Sequence, residues 1–105
     1  MMLQLPKNYR AQRMASKIHE ILARLIPEVL EKRGVSRIQY PIITEVVVTP
    51  DLRKARLHFN CLDKAYGPLV ETHLKEASIE LRKQMASTLK SKYVPEICFI
   101  LEENL

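Results

Sequence analysis

The chain has 105 residues, of which 47% are hydrophobic and 28% charged, values typical of one folded domain rather than a disordered segment. Its two glycines, Gly34 and Gly67, are too few for a glycine-rich phosphate loop of the P-loop or dinucleotide type. The net charge of +5 favours an acidic partner, of which nucleic acid is the commonest. Neither a membrane-spanning apolar run nor a signal peptide is recognisable, so the expected compartment is the cytoplasm.

Residues 10–33 predict one amphipathic helix, because apolar residues recur at steps of three and four. This stripe consists of Met14, Ile18, Ile21, Leu22, Leu25, Val29 and Leu30. Pro27 cannot donate a hydrogen bond to the carbonyl of Ala23, so we expect a kink there or a break into two helices. Gly34 suits the position just after a helix, where a left-handed residue is common.

Two strands joined by a short turn are predicted next. Residues 42–49 are rich in β-branched side chains, and both alternating faces are mostly apolar, which favours a central strand. One face carries Ile42, Val46 and Val48, and the other carries Ile43 and Val47. Pro50-Asp51 marks the turn, with Asp51 as its hydrogen-bonding aspartate. Residues 54–61 alternate cleanly, with a core face formed by Ala55, Leu57, Phe59 and Cys61.

A helical region and a last strand complete the chain. Gly67-Pro68 opens the helical region, whose apolar stripe continues to about residue 91 without deciding between one helix and two. Residues 96–101 follow Pro95 and predict a strand on which Cys98 faces away from the core. Because Cys61 faces inward, the two cysteines should not form a disulfide. The predicted order is helix, strand, strand, one or two helices, strand.

No set of side chains has the spacing of a catalytic or metal site. The three histidines, His19, His58 and His73, lack metal-ligand spacing, and no two cysteines are two residues apart. We therefore expect no enzymatic activity and no cofactor. The aromatic residues are few and dispersed, which disfavours an aromatic platform for single strands. Lys and Arg contacts with the phosphates of folded RNA are the better match.

The positive charge is concentrated in two segments. Residues 1–37 carry eight Lys or Arg against three Glu, and residues 81–94 carry four basic residues and no acid. Arg53, Lys54 and Arg56 are weaker candidates, because exposed basic residues are common on strands. A solvated helix face is the alternative interpretation of each cluster. The candidate RNA-binding residues are Arg10, Arg13, Lys17 and Arg24 on the first helix, and Arg82, Lys83, Lys90 and Lys92 before the last strand.

Three stretches resemble the ribosome-binding factor A family. Residues 45–59, EVVVTPDLRKARLHF, are similar to its strand–turn–strand signature. Residues 74–100, LKEASIELRKQMASTLKSKYVPEICFI, resemble its C-terminal half, in which a helix, a kink, a basic helix and Val-Pro-Glu precede a strand. Residues 10–26, RAQRMASKIHEILARLI, resemble its first helix. The likeness covers roughly residues 9–104.

The resemblance implies an α+β fold of the KH-like type II, with the order α-β-β-α-α-β and helices packed on one face of a three-stranded mixed sheet. The whole chain, 1–105, would be a single KH-like domain, with residues 1–8 as a flexible N-terminus. The resemblance further implies a monomeric, non-enzymatic assembly factor without a cofactor. It would bind the free small (30S) ribosomal subunit and its 16S rRNA, and assist late maturation and 5′-end processing of that rRNA, especially at low temperature.

The chain departs from the family at the kink between the paired helices. The family has Ala-x-Gly there, and the matching residues are Ala77, Ser78 and Ile79. A left-handed conformation is cheap for glycine and costly for a β-branched isoleucine, so we expect a milder kink or a continuous helix. Two alternatives stay open: a general KH-type module on other RNAs, which the missing glycine argues against, and a protein-interaction domain without RNA binding.

Overall fold

A computed structural model describes residues 8–102 of the protein. The predicted flexible N-terminus therefore lies, apart from Asn8, outside the described residues. The secondary structure, in chain order, is α1 (Tyr9–Lys32), β1 (Pro41–Val48), β2 (Lys54–Cys61), α2 (Gly67–Glu76), α3 (Ser78–Leu89) and β3 (Glu96–Leu101). Two 3-10 turns, Arg37–Gln39 and Lys64–Tyr66, precede β1 and α2. This is the expected α-β-β-α-α-β order.

The three strands form one mixed sheet in the order β1-β2-β3. β1 pairs antiparallel with β2, and β2 pairs parallel with β3, because the chain crosses over through α2 and α3 between them. The backbone N–H of Glu96 donates to the carbonyl of Arg53 at 2.8 Å, which joins the starts of β3 and β2. The loop before β3 therefore lies beside the β1–β2 turn.

The helices cover one face of the sheet. α1 packs on β1 and α3, and α2 packs on β3. The predicted inward face of β2 is confirmed, since Ala55, Leu57, Phe59 and Cys61 are all buried. Cys98 is exposed and Cys61 is buried, as the strand phases predict. The α+β fold with a three-stranded mixed sheet and helices on one face is thus confirmed.

Strand β1 corrects two of the sequence predictions. Within residues 8–102 it is an edge strand rather than a central one, because only β2 pairs with it there. The register also shifts between Ile43 and Glu45, so Thr44 forms a bulge that reverses the phase of the strand. Ile43 therefore lies opposite Phe59 on the helix-covered face, whereas Ile42 lies on the open face and is 49% exposed. The bulge, not double-sided burial, explains why Ile43 faces inward together with Val46 and Val48, while Ile42 and Val47 stay exposed.

Helix α1 runs unbroken through Pro27, so the expected break into two helices is wrong. Pro27 removes one backbone hydrogen bond, but Ala23, whose carbonyl loses its donor, is an exposed residue that water can reach. The buried residues on either side, Ile26 and Val29, hold the helix against the core. Burial of this stripe offsets the cost of the missing bond.

The end of α1 confirms the role predicted for Gly34. This glycine has a left-handed φ of 80°, and its N–H donates to the carbonyl of Glu31 at 3.0 Å. The N–H of Val35 donates to the carbonyl of Leu30 at 2.9 Å, which completes a Schellman motif. Val35 is buried and fixes the direction in which the chain leaves the helix.

Residues 67–89 form two helices separated by Ala77, so the alternative of a continuous helix is wrong. Ala77 has φ −90° and ψ 3°, and none of Ala77, Ser78 and Ile79 adopts a left-handed conformation. The break is mild because the N–H of Ala77 still donates to the carbonyl of His73 at 3.0 Å. Arg33, at the end of α1, donates to His73 Nδ1 at 2.9 Å and pairs with Glu76 beside the break.

Candidate nucleic-acid interface

A basic groove lies where the N-terminal half of α1 meets the end of α3. It has a volume of about 370 Å³. We call it the first groove, and its lining residues are Arg10, Arg13, Met14, Lys17, Leu52, Leu89, Lys90 and Ser91. The fold thus brings three candidates from α1 together with one that is more than 70 residues away in sequence. Among residues 8–102, four cations and no carboxylate line this groove.

The charges of the first groove are not neutralised within the described chain. No ion pair among residues 8–102 involves Arg10, Arg13, Lys17 or Lys90. The positive end of the helix dipole favours acidic side chains in the first turn of α1 and disfavours cations there, yet this turn carries no acidic residue. The spacing of these basic residues by three and four also places like charges next to one another. A bound anion would relieve both unfavourable terms.

Lys90, which lines the first groove, has an unusual backbone conformation. It ends α3 with φ 53° and ψ 30°, a left-handed geometry that favours glycine. Its N–H donates to the carbonyl of Ala86 at 3.2 Å. At the negative end of α3, the ammonium group lies where the helix dipole favours a cation.

A second groove, of about 600 Å³, lies beside the first and shares Leu52 with it. Its lining residues are Asp51, Leu52, Arg53, Arg82, Lys92, Tyr93, Val94 and Glu96. It therefore joins the β1–β2 turn to the loop before β3. Leu52, which separates the two grooves, is left-handed with φ 62° and closes the turn by donating its N–H to the carbonyl of Thr49 at 2.8 Å.

Asp51 organises the turn, as its sequence context predicts. Its carboxylate accepts hydrogen bonds from the hydroxyl of Thr49 at 2.6 Å and from the backbone N–H of Arg53 at 3.1 Å. These two bonds, that of Thr49 first, lower the pKa of the Asp51 carboxyl below its ordinary value. The carboxylate is thus committed to the turn on which Arg53 is carried.

The eight predicted RNA-binding residues fall into three groups. Four line the first groove, and Arg82 and Lys92 line the second. Arg24 and Lys83 are exposed on α1 and α3 but line neither groove. Arg82 also has a structural role, since its guanidinium donates to the carbonyl of Val94 at 2.8 Å.

Two residues that the sequence analysis did not select as candidates, Arg53 and Tyr93, also line the second groove. Arg53 was ranked low as a strand residue, yet it lies in the turn and lines the second groove. Tyr93 is 66% exposed, and the Lys92 Nζ lies 5.5 Å from the centre of its ring. A tyrosine between a lysine and Val-Pro, in a loop next to a basic helix, was the available signal.

Other chemistry finds no counterpart in the part of the chain that the structure describes. Residues 8–102 contain no group of three or more His, Cys, Asp or Glu side chains placed to hold a metal ion. Within the same range, no helix has the length and apolarity needed to cross a membrane. Burial raises the pKa of the Cys61 thiol, which disfavours the nucleophilic thiolate.

The family model of ribosome-binding factor A matches residues 10–105. The ribosome-binding factor A of Coxiella burnetii is 30% identical over 96 residues, which cover 91% of this chain and 78% of that protein. That of Geotalea uraniireducens is 32% identical over 91 residues, covering 86% of this chain and 72% of that protein.

Solved structures share the fold. The crystal structure of ribosome-binding factor A from Thermus thermophilus matches with a TM-score of 0.69 and 13% identity, covering 87% of this chain and 94% of that one. An NMR structure of a Thermotoga maritima protein assigned to ribosome-binding factor A matches with a TM-score of 0.72 and 21% identity, covering 98% and 95%. The match of the family model over nearly the whole chain establishes that this protein belongs to the ribosome-binding factor A family.

Proposed function

We propose that this protein is a non-enzymatic assembly factor that binds the free small (30S) ribosomal subunit and its 16S rRNA. It acts as a monomer in the cytoplasm and assists late maturation, including 5′-end processing of the rRNA, especially at low temperature. Membership of the ribosome-binding factor A family supports the ribosomal partner. The first groove supports the mode of binding.

The observation that carries this proposal is the convergence of Arg10, Arg13, Lys17 and Lys90 on one groove that no carboxylate of the described residues lines. In the free protein these cations repel one another, and Arg10 lies in the first turn of α1, at the unfavourable end of the helix dipole. RNA phosphates would reverse the sign of both terms, since each neutralised phosphate also releases condensed counterions. A helix N-terminus that carries basic side chains is well suited to phosphate.

The protein docks as a rigid body rather than clamping a single strand. Clamping in KH domains uses a glycine-containing loop between two helices. Here the junction is the single residue Ala77, with Ile79 82% exposed where the family has glycine. The Arg33 contacts to His73 and Glu76 further tie this junction to α1.

Sedimentation of the purified protein with free small subunits, large subunits and whole ribosomes, at two salt concentrations, tests the proposal. We expect selective association with free small subunits that weakens as salt is raised. Equal association with every particle would indicate unspecific attraction to RNA. Absence of association would contradict the proposal and favour a protein-interaction domain.

Matched pairs of single substitutions to glutamine test the groove itself. Lys17 and Arg24 lie seven residues apart on α1, and so do Lys83 and Lys90 on and after α3. In each pair only one residue lines the first groove. Lys17→Gln and Lys90→Gln should each reduce the slope of log affinity against log salt by about 1. Arg24→Gln and Lys83→Gln should leave that slope unchanged, and equal effects within a pair would refute the assignment.

The maturation role is tested in cells that lack the protein. We expect 16S rRNA with an unprocessed 5′ end to accumulate, more strongly in the cold, as measured by primer extension. Rescue by the wild type but not by a variant lacking all four groove cations would connect the groove to maturation. Normal processing in the deleted strain at low temperature would contradict this part of the proposal.

A further inference from the structure

Tyr93 is an aromatic side chain that the core does not use. It is 66% exposed, in contrast with the buried Phe59 and Phe99. Lys92 approaches its ring at 5.5 Å from the centroid, a loose cation–π contact. The extent of exposure leaves ring surface open to solvent at the edge of the second groove. Such an open ring surface is suited to stacking on a flat ligand.

The backbone that carries Tyr93 is held on its C-terminal side. The guanidinium of Arg82 donates to the carbonyl of Val94 at 2.8 Å, and Pro95 is fully buried. The N–H of Glu96 donates to the carbonyl of Arg53 at 2.8 Å. Because these contacts fix the residues that follow it, Tyr93 is presented to solvent from a fixed backbone. Little ordering entropy would then be lost when a ligand stacks on the ring.

Both basic and acidic side chains line the second groove around the ring. Arg53 and Lys92 line the second groove, and neither forms an ion pair within residues 8–102. Asp51 also lines the groove, but its carboxylate accepts bonds from the turn. Glu96 is exposed in the groove and offers an acceptor to the N–H groups of a base. One groove thus contains an aromatic face, three cations, of which Arg82 is bonded to the carbonyl of Val94, and the acceptor Glu96.

We propose that the second groove binds one unpaired nucleotide of the rRNA, with the base stacked on Tyr93 and the phosphate held by Arg53 and Lys92. This proposal rests on the proposed function, since it assumes that RNA reaches the first groove. The two grooves meet at Leu52, so the nucleotide would be continuous with the backbone bound by Lys90 and its neighbours. A single stacking residue differs from a multi-base platform, which the dispersed aromatic residues disfavour.

Affinity for free small subunits, measured across a salt series, separates stacking from charge. Tyr93→Ala should weaken binding by about 5- to 150-fold, the range of one base stacked on an aromatic side chain. The slope of log affinity against log salt should stay unchanged, because no charge is removed. Tyr93→Phe should bind like the wild type, since it keeps the ring. Leu62→Ala, which truncates another large exposed side chain, 83% exposed and outside both grooves, is the control.

Fluorescence reports the stacking directly. The chain contains no tryptophan, so Tyr93→Trp introduces a single indole, and Leu62→Trp provides the control. We expect addition of small subunits to quench the emission of Tyr93→Trp and to leave that of Leu62→Trp unchanged. Thermal unfolding of each variant checks that it is folded.

The outcomes distinguish the two proposals. If wild-type protein shows no salt-dependent binding to small subunits, the proposed function fails. If the wild type binds but Tyr93→Ala stays within twofold of it and the Tyr93→Trp emission does not change, only the nucleotide site is refuted. A weaker Tyr93→Ala with a reduced salt slope would also overturn it, because the loss would then be one of phosphate contacts.

Discussion

Replacing Lys90 by glycine should stabilise the protein although it removes a side chain, because the lost attraction to the helix dipole is offset by relief of repulsion from the other cations of the first groove. Lys90 adopts φ 53° and ψ 30° at the end of α3, a conformation that costs an L-residue about 1–2 kcal/mol. Glycine adopts it freely but loses more backbone entropy on folding, about 0.5–1 kcal/mol. The bond from its N–H to the carbonyl of Ala86 belongs to the backbone and is retained. The difference predicts a net stabilisation of about 0.5–1 kcal/mol.

Thermal unfolding followed by circular dichroism, with urea titration as a second measure, tests this expectation. A gain of that size should raise Tm by about 2–8 °C in a chain this short. Lys83→Gly is the matched control, because it removes the same side chain from an exposed position inside α3. Glycine in a helix interior should cost about 1 kcal/mol and lower Tm.

The two variants should therefore differ in sign. A decrease in Tm for Lys90→Gly as large as that for Lys83→Gly would refute the inferred left-handed helix end. The Lys90→Gly variant also separates the effect on stability from the effect on binding. Lys90→Gly should bind small subunits with a salt slope reduced by about 1, even though it is the more stable protein.

Three further predictions concern the core, the turn and the cysteines. Leu57→Ala, at a fully buried position on β2, should lower the free energy of unfolding by about 2–5 kcal/mol in urea titrations. Leu62→Ala, at a position 83% exposed, should change it by less than about 0.5 kcal/mol. Equal losses would contradict the assigned core. The wild type should be more stable than Asp51→Asn at pH 7, because folding favours the charged Asp51 carboxylate. This advantage should disappear as the pH falls below about 3.8 and passes the lower pKa of the folded state. An advantage that grew in acid would contradict the direction of the pKa shift. A thiol reagent should modify Cys98 in the native protein and Cys61 only after unfolding, since burial both shields Cys61 and raises its pKa. Peptide mass mapping measures this, and labelling of both cysteines in the native protein would refute the strand phases.

Local features of the fold were predictable from the sequence. The alternation of residues 54–61 and the stripe of α1 report burial directly, because each side chain's direction follows from its own element. The Schellman end at Gly34 depends on a few consecutive residues, so it was also readable. Of the two outcomes expected at Pro27, a kink or a break, the break is wrong because burial of the helix on the core outweighs local propensity.

The position of β1 was not predictable from the same pattern. Apolar residues at both phases are typical of a strand buried on two sides, but a bulge at Thr44 produces the same pattern on an edge strand. Side-chain contacts of the last described residue stabilise this edge of the sheet. Glu102 accepts a hydrogen bond from Thr44 and lies 3.5 Å from His58 Nδ1, so it connects the residues of all three strands. Strand order and bulges depend on partners elsewhere in the chain.

The sequence by itself determined the class of fold, the buried faces of α1 and β2, and the two basic segments from which the candidate interface is built. Only the tertiary structure decided which of the basic residues lie together. It places Arg10, Arg13 and Lys17 with Lys90, leaves Arg24 and Lys83 outside, and adds Arg53 and Tyr93 in a second groove. The physical reason is that periodicity orients a side chain within its own element, whereas a groove depends on how distant elements pack.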